Sequence, residues 1–242
     1  MVNTAFLRSV VIYLNPVALR RWSRFYRQIL GPGDIAFDVG SHVGNRARAM
    51  RRAGARVVAV EPQDPFTTFL KRTLPRDITV LDVALGGTCT QQTLSISTAH
   101  PTVSSLSQDF VGSAKSAPGF EHVTWDRSQL VKVLTADTLI KRYGHPKYIK
   151  IDVEGGEADV LEGLSQPIPL ISVEYLPAMP ALAVDLVDQL AAIGNDRFNI
   201  VRGESARFLW PDWRDATATK EWLHNQEVSA VSGDLFAKRA PE

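Results

Sequence analysis

The chain has 242 residues, 45% of them hydrophobic and 22% charged, with a formal net charge of +1. That is the profile of a globular protein with a sizeable core, sized for one large α/β unit rather than two small ones. The near-neutral balance excludes a general pull of the whole chain toward nucleic acid or anionic membrane. Cys89 is the only cysteine, which excludes an internal disulfide and a cysteine-based metal site and fits a reducing, cytoplasmic setting.

The opening run "MVNTAFLRSVVIYLNPVALRRW" is interrupted by Arg8, Asn15 and Pro16. It falls short of the ~20 apolar residues that span a bilayer and shows no cleavage site, so it is expected to be retained. Residues 18–30 place Trp22, Phe25, Tyr26, Ile29 and Leu30 at helical spacing, with Arg20, Arg21, Arg24 and Arg27 on the remaining circumference. This predicts a helix packed on the main domain, its basic face solvated or touching a membrane surface peripherally. Residues 1–30 thus read as an N-terminal helical extension, and 31–242 as the main domain.

From residue 34 the chain alternates. "DIAFDVG" predicts a buried strand, "NRARAMRRAGA" a short helix, "RVVAVEP" a strand, "DPFTTFLKRTL" a helix capped by Asp64 with Pro65 at its first position, and "ITVLDVAL" a third strand. Such alternation predicts a parallel sheet covered on both faces by helices. Residues 86–129 break the rhythm with Ser, Thr and Gln, and "TLSIS" and "HVTW" read as short strands within an insertion or lid. "LVKVLTADTLIKRYG", "KYIKIDV", "GEADVLEGL", "IPLISVEYL" and "ALAVDLVDQLAAIG" then resume strand and helix, and "RFNIV" and "GDLFAKR" supply the last two strands.

The first strand ends in "FDVGSHVG", with Gly40 and Gly44 four positions apart. A dinucleotide fingerprint needs G-x-G-x-x-G, and no P-loop Gly-Lys-Ser/Thr follows, so the turn suits a ligand that approaches the backbone closely but carries no phosphate. Glu61, at the end of the second strand, can accept two hydrogen bonds from a ribose diol. Asp82 and Val83, at the end of the third, are placed to meet adenine. Ribose, adenine and an amino-acid tail without phosphate describe S-adenosylmethionine. A non-catalytic nucleoside-binding or scaffolding module on the same sheet is the alternative.

The stretches "PGDIAFDVGSHVG", "VVAVEPQDPFTTFL", "VALGG", "VSSL", "LTADTL", "YIKIDVEGGEADVLEGL" and "ISVEYLP", in order across 31–177, resemble the FkbM family of S-adenosylmethionine-dependent methyltransferases. The resemblance implies a class I methyltransferase fold of seven strands, the last antiparallel. It also implies methylation of a hydroxyl on a sugar, glycolipid or related small-molecule acceptor. The family usually has a small residue and Asn after the first glycine, where this chain has Ser41-His42. The residues expected to contact the cofactor are Asp38, Gly40, Ser41, His42, Gly44, Glu61, Gln63, Asp82 and Val83.

Three charged residues are the candidates for chemistry. Asp152 ends the fourth strand on the cofactor edge and is the candidate base or positioner of the acceptor hydroxyl; a helix cap or a contact to the methionine ammonium are its other readings. Lys150 shares its strand face and, inside a strand, needs a partner, for which Glu174 on the next strand is the candidate. That cluster would orient the acceptor or pin the sheet edge. Asp152 and Glu174 are carboxylates of the kind that suit Mg²⁺, so metal assistance is conceivable, but they lack clear ligand spacing and no metal ligand is assigned. Glu154 and Glu157 read as helix caps, His100 and His122 as solvated, and Trp210 and Trp213 as packing residues rather than an acceptor platform.

Overall fold

The computed structural model describes residues 4–240; the first three residues of the expected extension lie outside them. Two helices open the chain, α1 (Thr4–Tyr13) and α2 (Pro16–Tyr26). The break between them follows from "NP": Asn15 accepts from the Val17 amide at 2.8 Å, and Pro16 occupies the first helical position, where it has no amide to waste. The extension therefore holds two helices where the apolar spacing predicted one. Among the described residues, no helix is long and apolar enough to cross a membrane.

The main sheet is built from β1 (Ile35–Val39), β2 (Arg56–Val60), β3 (Thr79–Leu81), then β7 (Tyr148–Ile151), β8 (Leu170–Tyr175), β9 (Arg197–Arg202) and β10 (Gly233–Lys238). Its order is β3-β2-β1-β7-β8-β10-β9, and β10 runs antiparallel to both neighbours. These are the seven strands expected, with the expected antiparallel last strand. Helices α3 (Asn45–Arg52), α4 (Phe66–Thr73), α6 (Ala136–Tyr143), α7 (Glu157–Glu162), α8 (Pro180–Ala192) and α9 (Ala216–His224) connect them. Helix α4 starts at Phe66, one residue later than its sequence predicted.

Three corrections concern the middle of the chain. The predicted third strand is two: β3 stops at Leu81, and after Asp82-Val83 a separate β4 (Ala84–Leu85) joins a second, three-stranded sheet in the order β4-β6-β5. Its other members are β5 (Thr90–Ile96), which holds most of "TLSIS", and β6 (Arg127–Leu134), antiparallel to it. The run "LVKVL" therefore belongs to this small sheet and not to the main one. A short 3-10 turn (Pro101–Val103) and α5 (Gln108–Ala114) lie between β5 and β6, while "HVTW" is not a strand.

Period-two alternation divides the core. Phe37, Val39, Val58, Val60, Ile149, Ile151, Ile171 and Val173 face α6, α7 and α8. Ala36, Val57, Ala59, Tyr148 and Leu170 face the opposite side, under α2 and α3. On that second face, registered pairing sets Asp38 beside Lys150 and Lys150 beside Ser172, and Glu174 beside Asp234. The apolar face thus becomes polar toward the carboxyl ends of the strands.

Helix α2 seals this polar end. Trp22, Phe25 and Tyr26 are fully buried, and the Arg46 guanidinium of α3 stacks 3.2 Å above the Trp22 ring. Removing so large a side chain leaves a cavity and a desolvated cation without its aromatic cover. Trp22→Ala is expected to cost roughly 3–5 kcal/mol, read as a lower urea midpoint at unchanged slope in chemical denaturation.

Candidate active site

A cavity of about 380 Å³ lies at the carboxyl ends of β1, β2, β7 and β8, within the range of cofactor and substrate pockets. One wall is the turn after β1. The amides of Gly40 and Ser41 both donate to the Val60 carbonyl at 3.0 Å, fastening the turn to β2. Gly40 has φ +77°, and a Cβ there would overlap the Asp152 carbonyl oxygen, so only glycine lets this turn lie against the end of β7. Gly44, also at φ +77°, is pressed against Leu70 and Leu74 instead; it serves the packing of α4, not the cavity.

The other residues expected at the cofactor divide into two groups. His42, Glu61 and Gln63 line the cavity with Gly40. The Glu61 carboxylate clamps the turn, accepting from the His42 amide at 2.7 Å and the Gln63 amide at 2.9 Å. Burial pushes its carboxyl up to about 7 in spite of those two donors. Burial likewise pushes the His42 imidazole down to about 4, so the ring is neutral; it packs against Tyr13 and Phe66 and leaves Nε2 without a protein partner.

Asp38 and Ser41 stand behind the wall rather than in it. Both are buried, and Ser41 Oγ donates to the Asp38 side chain and carbonyl region at 2.8–3.0 Å. Asp82 lies outside the cavity, ion-paired with Lys71 at 2.9 Å on the surface, and Val83 packs against the core. The break after Leu81 is the reason: it carries the chain toward the second sheet, so Ala84, Leu85 and Gly86 form this wall in place of Asp82-Val83.

The opposite wall holds the charged residues. Lys150, 2% exposed, donates from Nζ to Asp152 Oδ2 at 2.6 Å, so its direct partner is Asp152 and not Glu174. Burial works against the ammonium, but Asp152, Asp38 and Asp234 around it hold its pKa above the ordinary lysine value. Burial would also raise Asp152; Lys150 outweighs it and keeps that carboxyl below the usual aspartate value. Carboxylate oxygens of Asp152, Glu154 and Glu174 lie within 4.8 Å of one another, a spacing that would also admit a hard divalent cation. Burial, reinforced by the Asp152 charge, pushes Glu154 and Glu174 well above the ordinary glutamate value.

Glu154 is therefore part of this cluster, not a helix cap as its position before α7 suggested. Its φ of +57° turns it inward, and its carbonyl accepts from Ser105 Oγ at 2.6 Å. Glu157 does act locally, accepting from the Val153 amide at 2.9 Å. The His100 and His122 rings lie near each other outside the cavity, and Trp210 is buried against Trp222.

Sequence reasoning missed several lining residues. Arg46 makes a two-pronged contact to Glu204 at 3.1 and 3.2 Å and lies 3.8 Å from Asp234. Tyr13 comes from α1, and Gln92, Leu94, Thr102 and Ser104 come from the 86–129 segment. Asp234 carried the signal that flagged Lys150, a charge within a buried strand; the others are brought in by tertiary packing.

The seven-stranded order, with ligand-lining residues at its carboxyl edge, defines a class I methyltransferase fold. Its likeness to a TehB-like SAM-dependent methyltransferase from Corynebacterium glutamicum agrees: the TM-score is 0.51 at 9% identity, over 97% of this chain and 94% of that one. The sequence model of the Methyltransferase FkbM domain matches residues 38–226, and the chain belongs to this family. A hexuronic acid methyltransferase, AglP of Haloferax volcanii, is 28% identical over 144 residues, 57% of this chain; the match spans about half, 53%, of that curated relative. The cofactor is S-adenosylmethionine; on one wall of the cavity Glu61 would be placed to accept from its ribose, Gly40 would allow close backbone approach, and His42 Nε2 is unpartnered.

An ionised Glu61 accepts from a ribose diol better than a protonated one. S-adenosylhomocysteine is therefore expected to bind more tightly as pH rises from about 6 to about 8, through the Glu61 pKa of about 7. Calorimetric titration of Glu61→Gln should show binding weakened roughly tenfold or more and the pH dependence gone. An identical pH profile in wild type and variant would remove the ribose assignment.

Proposed function

We propose that the chain transfers the methyl group of S-adenosylmethionine to a hydroxyl of a sugar, glycolipid or related metabolite. The observation that carries this reading is the divergence of two neighbouring carboxyls: Asp152 held ionised by Lys150, and Glu174 made more basic by burial beside it. The sulfonium supplies an already activated methyl, so the protein must align the acceptor and remove its proton. Asp152 anchors the acceptor by accepting a hydrogen bond from a neighbouring hydroxyl, which leaves the reacting hydroxyl's proton facing Glu174. Glu174, in its ionised form, takes the proton as the oxygen–carbon bond forms and the carbon–sulfur bond breaks. This moves the base from Asp152, the candidate from sequence, to its neighbour.

Several features support a hydroxylated acceptor. Asp152, Glu154, Glu174, Glu204 and Asp234 all line the cavity and offer acceptors to sugar hydroxyls, with Lys150 and Arg46 as donors among them. The relative named for hexuronic acid methylation points to a glycan. The 86–129 segment contributes Gln92, Pro101, Thr102 and Ser104 to the lining, which supports reading it as a cover over the acceptor.

The test is release of S-adenosylhomocysteine on incubation with labelled donor and a panel of glycosides. With an acceptor in hand, Glu174→Gln is expected to lower kcat by about 10²–10⁴ while leaving S-adenosylhomocysteine affinity within a few-fold. The wild-type rate should rise with pH as the Asp152–Glu174 pair loses its shared proton. Full turnover in Glu174→Gln across the pH range would reject this base. Cofactor binding without transfer to any hydroxylated acceptor would instead favour the nucleoside-binding module.

A further inference from the structure

We infer that the outer faces of α1 and α2 form a docking surface for an anionic lipid bilayer. The inner stripe of α1 is fully used: Phe6 packs on Phe66 and Phe69 at 5.3 and 5.5 Å, and Tyr13 lies against His42 and lines the cavity. Its outer stripe is apolar as well. Leu7 is 49% exposed, Val11 78% and Ile12 52%, at the i, i+4, i+5 positions of one face. Val17, 68% exposed, continues the pattern at the start of α2 and shares its stripe with the exposed Arg20, Arg21 and Arg24. Four of the nine large exposed hydrophobic side chains among the described residues thus fall within eleven positions, where a solvated helix would carry polar groups.

Charge says what covers this face. Residues 1–33 contain five arginines and no acidic residue, so within their own segment the exposed aliphatic side chains share the surface with cations alone. That pairing fits acyl chains below and anionic headgroups around. A second copy of the chain fits less well. The four side chains offer on the order of 400 Å², against about 800 Å² per partner in a stable protein interface. Helix α1 is also one side chain away from the cavity, through Tyr13. A hydroxyl carried on a lipid would then reach the site from the interface; this consequence rests on the methyl-transfer reading, whereas the docking does not.

Co-sedimentation of the full chain with vesicles tests the docking without cofactor or acceptor. Binding is expected to vesicles of phosphatidylcholine doped with phosphatidylglycerol, to fall with added salt, and to be weak on phosphatidylcholine alone. The triple variant L7S/V11S/I12S should bind at least about tenfold more weakly. R20E/R21E/R24E should lose about 100-fold and its salt dependence. Both should keep the wild-type melting temperature and affinity for S-adenosylhomocysteine, since none of these side chains lines the cavity. Failure of the wild-type chain to bind anionic vesicles, or equal binding by the folded variants, overturns the proposal. So does a concentration-dependent dimer abolished by L7S/V11S/I12S, which assigns the face to a second copy.

Discussion

The ammonium of Lys150 in the middle of the main sheet is the constraint around which the site is arranged. A desolvated cation costs several kcal/mol unless its surroundings compensate. Here the compensation comes from carboxylates on three elements: Asp152 in direct contact, Asp38 one strand away in register, and Asp234 on the antiparallel strand. None of these acids would be comfortable in the same place without the cation. Arg46, stacked on Trp22 and held by Glu204, supplies the second positive charge that balances the group. The carboxyl edge is therefore a charge lattice before it is a binding site, and each functional side chain inherits its ionisation from it.

Local differences within that lattice give neighbouring carboxyls distinct properties. Asp152 touches Lys150 and stays ionised; Glu154 and Glu174 see the same burial and the Asp152 charge without so close a cation. On the far side of the cavity, Glu61 has only backbone amides for partners and titrates near neutrality. A glycine makes the two sides one site. Only because Gly40 lacks a side chain can the turn after β1 rest on the Asp152 carbonyl, joining the wall that holds Glu61 to the wall that holds Asp152.

The sheet was legible in the sequence because buried parallel strands announce themselves as short apolar runs separated by helical periods. Gly40, Glu61, Lys150, Asp152 and Glu174 were legible for a related reason: each is a polar or glycine residue where such a run ends or is interrupted. The same rule misplaced Asp82, since "ITVLDVAL" reads as one strand although its halves pair in different sheets. Periodicity reports burial and not pairing partner, and β4 and β6 satisfy it as well in the small sheet as in the large one. Arg46, Tyr13 and Glu204 carry no local mark. Their place follows from how α1, α2 and the segment after β9 dock on the sheet, which is a property of tertiary packing.

That docking divides the cavity in a way the family match makes plain. The matched span, residues 38–226, contains the Glu61 wall and the Lys150–Asp152–Glu174 wall. Tyr13, Trp22 and Asp234 fall outside it, yet Tyr13 and Asp234 line the cavity and Trp22 covers Arg46. The parts that hold a common donor can be supplied by strand ends, whose positions the sheet dictates. The parts that meet a variable acceptor are better supplied by helices and loops laid over them, which can change without disturbing register. In this chain the N-terminal helices reach the site from two sides: Trp22 on the inner face of α2 covers Arg46 behind the charge lattice, and Tyr13 of α1 lines the cavity.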